Sequence, residues 1–143
     1  MKTFISVILL CICMHLADAK NVKALFSFSR FNSTTNGAYI ETYLTVDGNS
    51  VVFKPEANGY MAVININIVI KDSTGQQVFT DTYNLNSPVV NDTTQINFNF
   101  IDQQRIKLNP GKYQMVFTLA DKNGNGQSFA STSSINLSWL SDR

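Results

Sequence analysis

The residues best suited to chemistry near neutral pH sit together at the start of this chain. Cys11, Cys13 and His15 are its two cysteines and its one histidine. A thiolate beside an imidazole is the starting material of nucleophilic catalysis, and closely spaced S and N donors are that of a zinc or copper site. Their setting argues for neither. Met1–Lys2 is a short basic start, Phe4 to Leu16 is an apolar run, and Ala17-Asp18-Ala19 has the small-x-small pattern of a signal peptidase site. Residues 1–19 are therefore expected to be a cleaved signal peptide, and residues 20–143 a single exported domain without thiol or imidazole. A lipid anchor would need a small residue just before the cysteine. Leu10 and Ile12 occupy those places, so the expected product is unlipidated.

What chemistry remains must come from carboxylates. Asp121-Lys122-Asn123-Gly124-Asn125-Gly126 matches the opening of an EF-hand calcium loop. The twelfth position, where a bidentate acid belongs, is Thr132, and the residues that follow read as strand. A Gly/Asn-rich hairpin turn accounts for all six residues. A glycosidase needs two acids roughly 5 to 10 Å apart. Only Glu41, Asp81 and Asp102 fall within or beside expected strands, the other acids lying mostly next to turn residues. The chain is accordingly expected not to be an enzyme and to use no cofactor or metal.

Removing 19 residues from 143 leaves 124, enough for one domain that buries roughly two thirds of its unfolded surface without staples. Losing Lys2 and Asp18 leaves ten basic and nine acidic groups. So balanced a charge argues against nucleic acid, which requires a concentrated basic footprint. The longest apolar run of the mature chain, Tyr60 to Ile70, is interrupted by Asn65 and Asn67. It falls short of the ~20 residues of a membrane-spanning helix, so no transmembrane segment is expected after cleavage. A disulfide-free exported domain suits a bacterial periplasm better than the disulfide-dense scaffolds of secreted animal proteins. Asn32-Ser33-Thr34, Asn91-Asp92-Thr93 and Asn136-Leu137-Ser138 match the glycosylation acceptor pattern, a chance outcome in a chain this rich in Asn and Thr.

The elements that would position any site have a period of two. Ile40, Thr42, Leu44 and Val46 alternate with Tyr39, Glu41, Tyr43 and Thr45. Tyr60, Ala62, Ile64, Ile66, Ile68 and Ile70 alternate with Met61, Val63, Asn65, Asn67, Val69 and Lys71, and Tyr113, Met115, Phe117 and Leu119 with Gln114, Val116, Thr118 and Ala120. Each pattern gives one face to a core and one to solvent, as half-buried antiparallel strands require. Turn residues such as Asn36-Gly37, Asp47-Gly48-Asn49, Asn58-Gly59 and Asn109-Pro110-Gly111 separate them. Eight strands are expected, at about 22–31, 38–47, 50–54, 60–71, 76–84, 94–101, 112–121 and 127–139. Their spacing predicts an all-β, immunoglobulin-like antiparallel sandwich of about 7–9 strands. Tyr113, placed just after a Pro-Gly turn, is expected to be the structural corner tyrosine of such a fold. Phe26, Phe28, Phe98, Phe100 and Phe117 are expected in the core. Arg30 and Glu41 are expected to face each other across a hairpin centred near Thr35.

Candidate partner contacts follow from side chains that the pattern turns outward or leaves unexplained. Tyr39, Tyr43 and Trp139 are aromatic residues with no obvious core position. Asp102-Gln103-Gln104-Arg105 breaks the apolar rhythm between Phe100 and Ile106 and reads as an exposed crossing between strands.

Four stretches together resemble a known family: Phe26–Phe31 (FSFSRF), Tyr39–Ser50 (YIETYLTVDGNS), Tyr83–Pro88 (YNLNSP) and Phe98–Leu108 (FNFIDQQRIKL). They look like the N-terminal part of the exported GWxTD-domain proteins of Gram-negative bacteria. Family members are much longer, with the GWxTD segment far downstream and outside this sequence. The resemblance implies an envelope location and carries no catalytic residues over. The expected function is a non-catalytic binding or assembly module of the periplasm or cell surface, contacting another envelope protein through sheet edges or loops. The alternatives are a carbohydrate-binding module and an accessory domain of a larger envelope enzyme. Mass spectrometry of the exported protein should find Lys20 as its first residue; retention of Cys11 and His15 would restore the chemistry discounted above.

Overall fold

The computed structural model describes residues 20–138; the expected leader, residues 1–19, and Trp139 lie outside them. The chain forms β1 (Ala24–Ser33), β2 (Gly37–Asp47), a single 3-10 turn (Gly48–Ser50), β3 (Lys54–Glu56), β4 (Gly59–Met61), β5 (Val63–Asp72), β6 (Gln77–Asn86), β7 (Asn99–Lys107), β8 (Lys112–Asp121) and β9 (Phe129–Asn136). They build a three-stranded sheet of order β1-β2-β7 and a four-stranded sheet of order β6-β5-β8-β9, with β3 and β4 as a separate small hairpin. Pairing is antiparallel throughout. The result is the expected all-β, immunoglobulin-like sandwich.

Alternation decides what lies between the sheets. Ile40, Leu44 and Val46 of β2 face Ile64, Ile66, Ile68 and Ile70 of β5 and Met115, Phe117 and Leu119 of β8, all of them essentially inaccessible to water. Phe26 of β1 stacks on Phe117, with ring centroids 3.9 Å apart and planes 15° from parallel. Such a pair contributes about 0.5–1.5 kcal/mol beyond its buried area. Of the five phenylalanines expected in the core, Phe100 and Phe117 are buried, while Phe26, Phe28 and Phe98 are partly buried against it.

The corner tyrosine is present. The Tyr113 hydroxyl donates to the Asn109 carbonyl at 2.8 Å, closing the turn that enters β8. At the other end of that strand Asp121 fastens the hairpin β3–β4. Its Oδ2 accepts from the Val52 amide at 2.7 Å and its Oδ1 from the Asn123 amide at 2.8 Å. Asn123 in turn donates its side-chain amide to the Val52 and Met61 carbonyls, at 3.1 and 3.0 Å. The calcium-like string thus uses its carboxylate and first Asn as backbone ties.

Four expectations need correction. The single strand at 60–71 is two: at Ala62 the backbone leaves β3 and exchanges hydrogen bonds with Ser87, whose Oγ accepts from Ala62 N at 3.0 Å while its amide donates to Ala62 O at 2.9 Å. The strand expected at 50–54 is displaced to 54–56, because Ser50 closes the 3-10 turn by donating its hydroxyl to Asp47 O at 2.7 Å. Gly48 is obligatory there, since a Cβ would meet the Phe98 carbonyl oxygen at 2.6 Å.

The third correction is that residues 94–98 are irregular and the strand begins at Asn99, running on through Asp102–Arg105. That tetrapeptide is therefore an internal part of β7, and the absence of an apolar rhythm reflects its place at a sheet edge. The fourth concerns register. The hairpin turns at Thr35, but Arg30 lies opposite Ile40, and Glu41 lies between Ser29 and Arg105. A one-residue slip places Arg30 and Glu41 on opposite faces. Arg30 instead reaches the other sheet, donating to the Asn136 carbonyl at 3.1 Å.

Tyr113→Phe should keep the ring and lose only the hydrogen bond. A loss of about 1 kcal/mol, and a melting midpoint lower by a few degrees, is expected.

Candidate functional site

The outward face of the three-stranded sheet gathers a connected set of side-chain interactions. Register sets its rows. From one end to the other they are Leu25–Thr45–Ile101, Ser27–Tyr43–Gln103, Ser29–Glu41–Arg105 and Phe31–Tyr39–Lys107, in the order β1, β2, β7. Because β2 is bonded on both sides, its odd-numbered residues are held at the centre of the face.

Glu41 organises the middle of it. Its Oε1 accepts from Arg105 Nε at 3.0 Å and from Arg105 Nη2 at 2.6 Å. Its Oε2 accepts from the Tyr43 hydroxyl at 2.7 Å and from Gln103 Nε2 at 3.2 Å. The Glu41 side chain is 10 % exposed and that of Arg105 is 63 % exposed, so a covered anion supports an accessible cation. The Tyr43 hydroxyl, and then the Arg105 guanidinium, hold the Glu41 carboxyl below its ordinary range. By the same contacts the Tyr43 hydroxyl and the Arg105 guanidinium are pushed up. A carboxylate so thoroughly occupied is a scaffold for its donors and a poor proton acceptor.

The aromatic residues extend the network. The Arg105 guanidinium lies 4.8 Å from the centre of the Tyr39 ring, and on the β1 side Phe31 stacks on Tyr39 at 5.2 Å. At the far end of the face Leu25 and Ile101 are 72 % and 71 % exposed, flanking Thr45. Those two are the most exposed large apolar side chains among the described residues.

Of the seven residues singled out from sequence, four meet here: Tyr39, Tyr43, Gln103 and Arg105. Asp102 and Gln104 have the opposite parity and point between the sheets, where they latch β7 to β6. The Tyr83 hydroxyl donates to Asp102 Oδ2 at 2.5 Å, and Gln104 Nε2 donates to the same carboxylate at 3.2 Å. Burial, then the bond to Asp102, pushes the Tyr83 hydroxyl far up. Trp139 falls outside the described residues. Leu25 and Ile101 were not singled out from sequence, and Glu41 was expected to pair with Arg30 instead of Arg105. Charge opposition between Glu41 and Arg105 was available as a signal, but only the pairing of β2 with β7 makes it visible.

The same parity separates the candidate acids. Glu41 is on the outer face and Asp102 on the inner face of one sheet, bound to different partners, so the geometry does not bring those two together as a catalytic pair. Among the described residues no three His, Cys, Asp or Glu side chains cluster as metal ligands, and no helix is long and apolar enough to cross a membrane.

No protein-family model matches the chain, and no curated protein does. Among solved structures it is similar to an X-ray structure of Northeast Structural Genomics Consortium target SoR45, with a TM-score of 0.33 and 8 % identity over 82 % of this chain and 85 % of that one.

The lowered Glu41 carboxyl has a definite signature. Its contribution is fully present above the ordinary value of 4.5 and is lost as pH falls through the lowered folded value. Urea midpoints of the wild type and Glu41→Gln should therefore differ most near neutrality and converge in acid. A gap that widens on acidification would show that the carboxylate is not the stabilising species.

Proposed function

We propose that this protein is a non-catalytic exported module of the bacterial cell envelope that binds another protein through the outer face of its three-stranded sheet. One observation carries the reading: Leu25 and Ile101 stand open to solvent on the same face as the fixed Glu41–Arg105–Tyr43–Gln103 network. Two exposed aliphatic side chains at one end of a face whose middle is an ordered polar set offer a partner apolar and polar contacts side by side. Arg105 and Tyr43 belong to the residue types that contribute most at such interfaces. The network needs no rearrangement to present them, which lowers the ordering cost of association. Envelope location rests on the leader-like start and on the resemblance of Phe26–Phe31, Tyr39–Ser50, Tyr83–Pro88 and Phe98–Leu108 to exported GWxTD-domain proteins.

The carbohydrate alternative asks for open, coplanar aromatic rings. Tyr39 is the ring best placed for that role, but Phe31 stacks on it from β1 and Arg105 lies over it from β7. That leaves little flat surface for a sugar. The accessory-domain alternative differs in where catalysis resides rather than in what this face does.

A photo-reactive side chain at Ile101 or Gln103 should capture one envelope protein in living cells. The same group at Thr132, exposed on the other sheet, should not. Arg105→Glu, which sets two anions side by side, should reduce the capture several-fold without unfolding the domain. Equal capture of scattered neighbours from all three positions would refute the proposal.

A further inference from the structure

The unpaired edge of β1 has a side-chain order that nearly reads the same in both directions. From Leu25 to Phe31 the residues are Leu, Phe, Ser, Phe, Ser, Arg and Phe, with Phe28 at the centre. Among the described residues β1 borders only β2, so its other side presents backbone groups with no described strand beside them. The backbone parity can be derived. Asp47 N donates to Lys23 O at 3.0 Å, across from one another in the ladder continued by Ala24 and Val46. In an antiparallel pair, bonded positions alternate. The odd-numbered residues therefore bond to β2, and the N–H and C=O groups of Ala24, Phe26, Phe28 and Arg30 point away from it.

We infer that β1 pairs antiparallel with β1 of a second copy, about a two-fold axis through Phe28, joining two three-stranded sheets into one of six. The register follows from that axis. Phe28 is opposite the second copy's Phe28, and Phe26 opposite its Arg30, as hydrogen-bonded pairs. Leu25 is opposite its Phe31, and Ser27 opposite its Ser29, as the closer non-bonded pairs. Three of the four pairings match directly, aliphatic with aromatic, hydroxyl with hydroxyl and ring with ring, while Phe26 and Arg30 keep their contacts with Phe117 and Asn136. The pairing would cover Leu25, 72 % exposed in the single chain, with the phenylalanine of its neighbour. Such an isologous contact closes on itself and yields a dimer.

The other edges are less suited. β7 carries Asp102, Arg105 and Lys107, and β6 carries Asp81, charges of the kind that discourage strand addition. β9 turns Ala130, Thr132, Ser134 and Asn136 outward, with no large apolar side chain to cover. From Ala24 to Ser29, β1 has no charge, no proline and no register shift. The dimer does not depend on what the outer face binds, although it would double that face.

The exported wild-type protein should be a dimer by light scattering, and Ser27→Lys/Ser29→Lys should raise its dissociation constant about tenfold or more. Ser27→Glu/Ser29→Lys, which sets opposite charges across the seam, should restore it; all three proteins should have the same circular dichroism. Ser27→Cys and Ser29→Cys, each purified separately from a mature chain lacking cysteine, should form a disulfide-linked dimer when mixed and not when alone. A wild type that stays monomeric at its highest soluble concentration overturns the inference. So does a dimer indifferent to both lysines, or one that cross-links without mixing. A monomer that still captures a partner through Ile101 would sink the dimer and leave the proposed binding role standing.

Discussion

Cohesion in this protein depends on interleaving the inward faces of two sheets that no disulfide joins. With both cysteines confined to residues 11 and 13, the residues from Lys20 onward are held by apolar packing, hydrogen bonds and the Glu41–Arg105 ion pair. The isoleucine series of β5, in a strand flanked by β6 and β8, is the centre of that packing. Once alternate residues are committed inward, every remaining side chain is committed outward, because a one-residue slip would place Ile64, Ile66, Ile68 and Ile70 in water. The outer faces, and any function they carry, are by-products of that parity.

β2 shows how strongly parity acts on a site. It lies between β1 and β7, so the inward burial of Ile40, Leu44 and Val46 obliges Tyr39, Glu41 and Tyr43 to stand in line on the other side. Glu41 then gathers four donors from three residues, two of them on β7. The same β7 segment sends Asp102 and Gln104 the other way, where they hold β6. One polar tetrapeptide thereby contributes to the Glu41 network on one face and to a latch on the other.

The edges follow a different logic. A sandwich with open sheets must leave strand borders unpaired, and natural proteins usually place charge on them. β7 and β6 do so. β1 does not over its first six residues, and its Arg30 is turned toward β9. An uncharged border beside the exposed Leu25 and the accessible Arg105 concentrates the surface features suited to association around one sheet.

Much of the architecture was legible in the residues themselves. Alternation and turn spacing together located six of the nine strands to within a few residues, and the Pro-Gly turn before Tyr113 announced a bond that the structure places at 2.8 Å. These signals are local: a strand half-buried along its length records its own orientation in its composition. Asp102–Arg105 was illegible because an edge strand buries less and tolerates polar residues on both faces. Its identity as a strand comes from hydrogen bonding to β2. The break at Ala62 depends on Ser87, and the partner of Glu41 is 64 residues away in the chain. By itself the sequence determined which side chains avoid water and where the chain turns, since solvation and backbone sterics act residue by residue. Tertiary structure alone decided which strands lie side by side, and hence that Arg105 and not Arg30 meets Glu41, because pairing is a contest among distant segments.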